Sequence, residues 1–276
     1  MSRPRLRLSS VALNLSVAGL ALIWLVPVYL IIVNAISDQS KYTGTPRWFP
    51  AKFGFFGNLK SAWQAANFGQ TAVNSLIYAT FCAAAAVLIA TLAAYALVAL
   101  DLRRPSLWFW IIYSGTLLPL QVFARPLFLA EAQVNLYDTK WGLSIVYIAL
   151  CIPFAMFVVR NVLVSVPKEI PEAARLDGAN WFRMFLHVHL PLARSAMAAA
   201  FVFQFVYIWN ELFFGITLSI SPNVQPVMAS LATLEGPYST TSQPAVLAVA
   251  IVVALPTIAL FLGFQRFFVS SLKTNL

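Results

Sequence analysis

Six stretches of this chain run for about twenty residues or more with at most one charge in each: 11–36, 72–99, 106–129, 141–163, 196–219 and 245–265. An α-helix rises ~1.5 Å per residue, so ~20 apolar residues cover the ~30 Å hydrocarbon core of a bilayer. Inside lipid no water is present to pair backbone N–H and C=O groups, so each run is predicted to be a helix. The fold class that follows is all-α integral membrane, with six transmembrane helices and a single transmembrane domain over 1–276. Only 10% of residues are charged, against about a quarter in a soluble domain. The net charge of +9 could serve a polyanion, but in so apolar a chain basic residues set orientation instead. Lipid is therefore an expected partner and nucleic acid is not.

Arg3, Arg5 and Arg7 precede the first run in the manner of a signal peptide. The uncharged stretch from Val11 to Ile36 is longer than the ~7–15 residues of a signal core, and no small-x-small cleavage site follows. It is expected to remain as the first span. With that end in the cytoplasm, twelve Lys/Arg residues fall on the cytoplasmic side and six on the other, as the positive-inside rule requires. A multi-pass protein with both termini cytoplasmic is expected. Lys41, Arg47, Lys52 and Lys60 in the first outer loop run against the trend. That loop also carries Tyr42, Trp48, Phe49, Phe53, Phe55, Phe56 and Trp63, a composition suited to lying along the membrane surface. The last outer loop, 221–244, is rich in Ser, Thr, Pro and Gly and reads as irregular surface. Cys82 and Cys151 sit in apolar runs without metal or redox spacing, and read as buried free thiols.

One stretch departs from this pattern. Val166–Arg194 holds Lys168, Arg175, Arg183 and Arg194, three acids (Glu169, Glu172, Asp177) and both histidines. Pro171 suits the first turn of a helix, and Glu172 there favours the helix dipole. Gly178 is placed for a left-handed C-terminal cap. Trp181, Met184, Phe185 and Val188 then share one face of a second helix, and Pro191 marks a break before the fifth span. A helix of under two turns is not stable alone in water. Its polar, small-residue face points to a protein partner; an ordinary solvated loop is the alternative. His187 and His189 point to different helix faces, and no metal site is expected.

The run Glu172-Ala173-Ala174, with Gly178 and then Val188-His189-Leu190-Pro191 at the proper spacing, resembles the EAA signature of importer permeases of the ATP-binding cassette (ABC) class. Valine stands where the pattern has isoleucine. Asp177-Gly178-Ala179, Trp209-Asn210-Glu211 and the ending Gln265-Arg266-Phe267-Phe268-Val269 resemble the carbohydrate-uptake branch, its maltose-transporter-type smaller permease in particular. The tail Lys273-Thr274-Asn275-Leu276 departs from the glycine-rich ending of many relatives. The resemblance implies a cytoplasmic coupling helix between spans four and five. Glu172, Ala173, Ala174, Asp177, Gly178 and Pro191 would serve coupling to an ATPase. It also implies a heterodimer with a second permease, two ATP-binding cassette subunits and an extracytoplasmic sugar-binding protein, in a bacterial or archaeal cytoplasmic membrane. The chain has no GxxxxGK[ST] phosphate loop, so it is expected to be non-catalytic and to bind no cofactor; ATP and Mg would belong to the ATPase subunits.

Polar residues at membrane depth are costly and mark pathways or interfaces. Glu211, beside Asn210 and Trp209, has two open readings: a structural hydrogen bond to a neighbouring helix, or substrate contact. Asn34, Asn74, Gln121 and Gln204 read as helix-to-helix hydrogen bonds, with sugar contact as the alternative. Arg125 and Glu131, near an outer span end, are expected to snorkel. Asn223, Glu235 and Tyr238 are the candidates for contact with a binding protein. The function expected is a transmembrane subunit of an ATP-driven sugar or oligosaccharide importer. A self-contained secondary transporter or channel is the rival, though the spans offer no acid pair for a coupling ion.

Overall fold

The computed structural model describes residues 6–236 and 239–273, with side chains described between 12 and 264. Helix dominates: α1 (Leu6–Ile36), α2 (Phe55–Ala65), α3 (Phe68–Ala99), α4 (Pro105–Tyr113), α5 (Ala124–Gln133), α6 (Lys140–Val164), α7 (Glu169–Leu176), α8 (Trp181–Met184), α9 (Leu190–Trp209), α10 (Phe213–Leu218), α11 (Val227–Thr233) and α12 (Gln243–Lys273). Among the described residues β pairing is confined to an isolated bridge, Ser37 to Phe53. Five helical stretches are long and apolar enough to cross a membrane, and a bent pair makes a sixth when taken as one span. The all-α membrane class therefore holds.

Three spans differ in detail from the sequence expectation. The third is not one helix: Pro105–Thr116 and Leu120–Gln133 meet at 90°. Pro119 is extended at the corner, where it offers no N–H and cannot continue a helix. The fifth begins early and ends early. Trp181–Trp209 is a continuous helical stretch, so Pro191 marks no break. Proline is tolerated there because it opens α9 directly after a π-helical turn, Phe185–His189, whose wider loop relaxes the backbone bonding. At Asn210 the helix stops, and α10 starts afresh instead of continuing to 219. The last loop is not irregular throughout, since it contains α11 with Val227, Ala229 and Ser230 buried.

The chain folds as two compact units, Met1–Ala66 with Leu231–Ala254, and Asn67–Ser230 with Leu255–Leu276. In the first, α1 is almost wholly exposed along its apolar length. Its end is clasped by the loop that follows. Asn34 donates to the Arg47 carbonyl and accepts from the Arg47 N–H, and Asn58 donates to the carbonyls of Ala35 and Ser37. Asn34 thus serves loop closure and not a helix pair. Phe49, Phe53, Phe56 and Trp63 remain exposed beside this clasp, the distribution expected of an interfacial surface.

In the second unit α3 packs on α6 and α9. The contact face of α3 is a file of small buried residues, Ala79, Cys82, Ala83, Ala86, Ala90 and Ala94, met by Cys151 and Ala155 of α6 and by Ala193, Ala196 and Ala200 of α9. Lipid tails are as apolar as leucine, so helices gain from close backbone approach, which small side chains permit. Both cysteines lie free and buried in this seam.

Polar groups close the end of this unit formed by the start of α3. Asn74 donates to the carbonyls of Pro222 and Gln225, Tyr78 donates to that of Val224, and the Val227 N–H donates to Ser75. Asp138, in the left-handed region at φ 55°, accepts from the N–H groups of Ile220 and Ser221 and from the Ser221 hydroxyl. Burial pushes the Asp138 carboxyl up, but these hydrogen bonds outweigh it and hold the group below the usual aspartate value. Glu131 does not snorkel. It is 6% exposed, with both carboxyl oxygens buried and without a partner among the described residues. The turn after α5 folds the start of α6 over it. A Cβ on Gly142 would stand 3.2 Å from the Glu131 carboxyl carbon and 2.4 Å from the Leu136 oxygen, so only glycine fits there.

Glu211 is buried, at 7% exposure, in the gap between α9 and α10. Its carboxylate accepts from the N–H groups of Phe214 (2.9 Å) and Gly215 (3.1 Å) and from the Tyr147 hydroxyl of α6 (3.0 Å). It therefore caps α10 and ties it to α6. Glu211→Ala leaves three buried donors unpaired, at ~1–3 kcal/mol each before relaxation. The thermal unfolding midpoint of the detergent-purified protein should drop strongly, and Glu211→Gln, which keeps one acceptor oxygen, should drop it less.

Candidate functional site

Two features of the second unit can serve function: the charged stretch at one end of α3 and a cavity within the membrane-spanning helices. In the charged stretch, α7 carries Glu169 and Glu172 in its first turn and Arg175 in its last, matching the helix dipole at both ends. Its C-terminus is a Schellman motif. Gly178 has φ +79°, its N–H donates to the Arg175 carbonyl, and the Ala179 N–H donates to that of Ala174, both at 3.0 Å. The backbone N–H of Asp177 donates to Ala173, and its side chain is exposed. Asn180 then caps α8 by accepting from the Arg183 N–H at 2.9 Å.

An eight-residue helix needs anchors, and the sequence reading missed two of them. Arg175 donates to the carbonyl of Ala99, the last residue of α3, at 3.1 Å. Tyr95 donates to the Trp181 carbonyl at 2.7 Å and packs against Phe185 and His189. A tyrosine hydroxyl in an apolar run must find a partner, so Tyr95 could have been flagged from sequence, although not its partner. The two neighbouring alanines face differently. Ala174 packs back against the core of the unit, whereas Ala173 is exposed with Glu172. Leu176 is 89% exposed and Ile170 43%. The outward face of α7 is thus acidic, apolar and uncovered. Pro191 comes about fifteen residues after the end of α7, half-buried in the continuous α9 stretch.

The residues expected at the pathway or interface have separate fates. Asn74 and Glu211 are buried and bonded as described above. Trp209 is buried with its ring stacked on Phe205. Asn210 is exposed and donates to the Val206 carbonyl of its own helix. Gln121 is exposed just past the corner of the bent span. None of these five lines the cavity. That space, about 520 Å³, is walled by the corner of the bent span at Gly115, Thr116, Leu118 and Leu120, by Leu150 and Phe154 of α6, and by Phe203, Gln204, Val206 and Tyr207 of α9. Gln204 makes no helix-to-helix hydrogen bond among the described residues. Of the binding-protein candidates, Asn223 and Glu235 are exposed, and Tyr238 lies outside the described residues.

Residues 86–274 match the family model described as binding-protein-dependent transport system inner membrane component. The chain is similar to an sn-glycerol-3-phosphate transport system permease protein of Yersinia pestis, with 30% identity over 93% of this chain and 92% of that one. It is 26% identical to a diacetylchitobiose uptake system permease protein of Streptomyces coelicolor, over 90% of this chain and 83% of that one. In fold it is similar to a chain of a bacterial ABC transporter involved in the import of the acidic polysaccharide alginate. There the TM-score is 0.77 and the identity 23%, covering 97% of this chain and 99% of the other.

The turn after α7 yields a direct test. A side chain at Gly178 meets no neighbour within 4 Å, so the cost of Gly178→Ala is conformational, ~1–2 kcal/mol for an L-residue in the left-handed region. Limited proteolysis between Arg175 and Arg183 should speed up in this variant, and Gly178→Asn, which tolerates that region better, should stay closer to wild type.

Proposed function

We propose a role for the chain within the family to which it belongs, the binding-protein-dependent transport system inner membrane components: it is one permease subunit of an ATP-driven importer of a sugar or oligosaccharide. The observation that carries this reading is the outward face of α7. Glu172, Ala173 and Leu176 are exposed together on a short helix that Arg175 ties to the end of α3 and that is followed by α8, itself tied to Tyr95. An exposed leucine beside an acid, on a helix too short to stand alone, suits insertion into a cleft of a partner. In this reading the partner is an ATP-binding cassette subunit, and a basic group in its cleft pairs with Glu172. Ala174 contributes inward packing and Gly178 the turn.

The excess of Lys/Arg on the charged-stretch side supports a cytoplasmic location for α7 and for both termini. Two ATPase subunits bind ATP with Mg, close, and move the coupling helices of this chain and of a second, homologous permease. The paired permeases then alternate between outward and inward access. A binding protein delivers the solute at the opposite face; Asn223, exposed on a loop pinned to α3, is a candidate contact, and Glu235 and Tyr238 are further candidates from the sequence. The diacetylchitobiose permease among the relatives supports a saccharide as cargo. Hydrolysis is assigned to the partners, so this subunit has no catalytic residue.

Two measurements bear on this assignment. Glu172→Lys replaces an ion pair by repulsion while leaving the anchors intact; it should insert normally yet reduce ATP-driven uptake in proteoliposomes by tenfold or more. Uptake at the wild-type rate would mean that α7 is not the coupling surface. A photocrosslinker at Asn223 should capture the binding protein when solute is bound, and labels that never do so would remove that loop from the docking face.

A further inference from the structure

The cavity beside the bent span has features that distinguish one class of solute from another. It lies among membrane-spanning helices, where irregular backbone is tolerated only when buried in protein or lining a space. The 90° corner at Thr116–Leu120 forms one wall, and broken spans of this kind recur at solute sites in transporters. At about 520 Å³ it lies within the range of small-molecule sites. Gln204 is 4% exposed, lines this space, and its side-chain amide has no hydrogen-bond partner among the described residues. Its polar atoms are not sealed off, so the amide opens onto this space. A ligand offering both donor and acceptor would satisfy it.

The rest of the lining narrows the chemistry. Phe154 and Phe203 meet edge to face with centroids 5.8 Å apart, and Tyr207 stands beside them. Among the described residues no Asp, Glu, Lys, Arg or His lines the cavity. A phosphate or carboxylate against these walls would gain no countercharge from them, which disfavours it relative to a neutral ring. A neutral sugar ring fits on both counts. Its C–H face can lie on the aromatic wall, and its hydroxyls can donate to and accept from one amide.

We propose that this cavity is a subsite for one ring of a neutral saccharide, with Gln204 as the residue that hydrogen-bonds its hydroxyls. The proposal rests on the importer reading above and sharpens it, because phosphorylated and acidic saccharides are disfavoured in the subsite. An acyl chain of the surrounding lipid is the competing occupant.

The test uses the complete transporter, purified with its partner permease, ATPases and binding protein and reconstituted in proteoliposomes. Uptake is measured for neutral probes (maltose, cellobiose, diacetylchitobiose) and for anionic ones (sn-glycerol-3-phosphate, a disaccharide uronate). Wild type should carry at least one neutral probe and neither anionic one. Gln204→Leu should lower kcat/KM for that probe about tenfold, mainly through KM, while the subunits co-purify in unchanged proportion. Phe154→Leu should lower it less, and provides the test should Gln204→Leu fail to assemble. Uptake of the neutral probe by Gln204→Leu at the wild-type kcat/KM would assign the cavity to lipid and overturn the proposal, as would wild-type uptake of anionic probes alone. If wild type hydrolyses ATP but accumulates no probe of either class, the importer reading for saccharides fails, and the subsite with it.

Discussion

Close approach of α3 to α6 and α9 is the constraint on which the second unit depends. Helices in lipid gain nothing from removing apolar surface from water, so they associate through backbone proximity and polar contacts. The file from Ala79 to Ala94 supplies the first, with Ala155 and Ala200 among the residues opposite. A leucine anywhere in that file would push the helices apart, and the polar contacts at both ends of the seam would lose their reach.

Those contacts follow one pattern. Near one end of α3 the Tyr78 hydroxyl donates to a loop carbonyl at Val224, and near the other the Tyr95 hydroxyl donates to a carbonyl at Trp181. Asn74 and Ser75 reinforce the first site, and Arg175, reaching Ala99, reinforces the second. The 21 residues from Asn74 to Tyr95 correspond to ~31 Å along a helix, about the thickness of the hydrocarbon core. α3 therefore acts as a strut that holds the far loop at one end and the short helix α7 at the other. In the proposed importer these are the two surfaces where partners dock, and one packed helix joins them.

Apolar run length alone specified helices at all six spans, because a backbone in lipid has almost no alternative. The charged stretch was legible in part: Gly178 as a left-handed cap ending a first short helix follows from local rules and recurs in the structure, whereas the second helix runs on into the fifth span. Where several weak local signals competed, the reading failed. Pro191 looked like a break and is absorbed by a π-turn, whereas Pro119, inside a stretch read as one span, turns the chain by 90°. Glu131 looked like an end-of-span acid and is buried, because a turn three to six residues later folds back over it.

By itself the sequence determined that this chain is a bundle of membrane helices with one charged segment built for contact, since hydropathy and backbone hydrogen bonding are properties of short windows. Only the tertiary structure decided which polar residues hold the protein together and which are left to act. Glu211 and Asn74 are consumed by helix capping and loop carbonyls, and Gln204 is left facing a cavity. That division depends on partners far apart along the chain, as Asn74 and Gln225 are at 151 residues, and no window of sequence carries it.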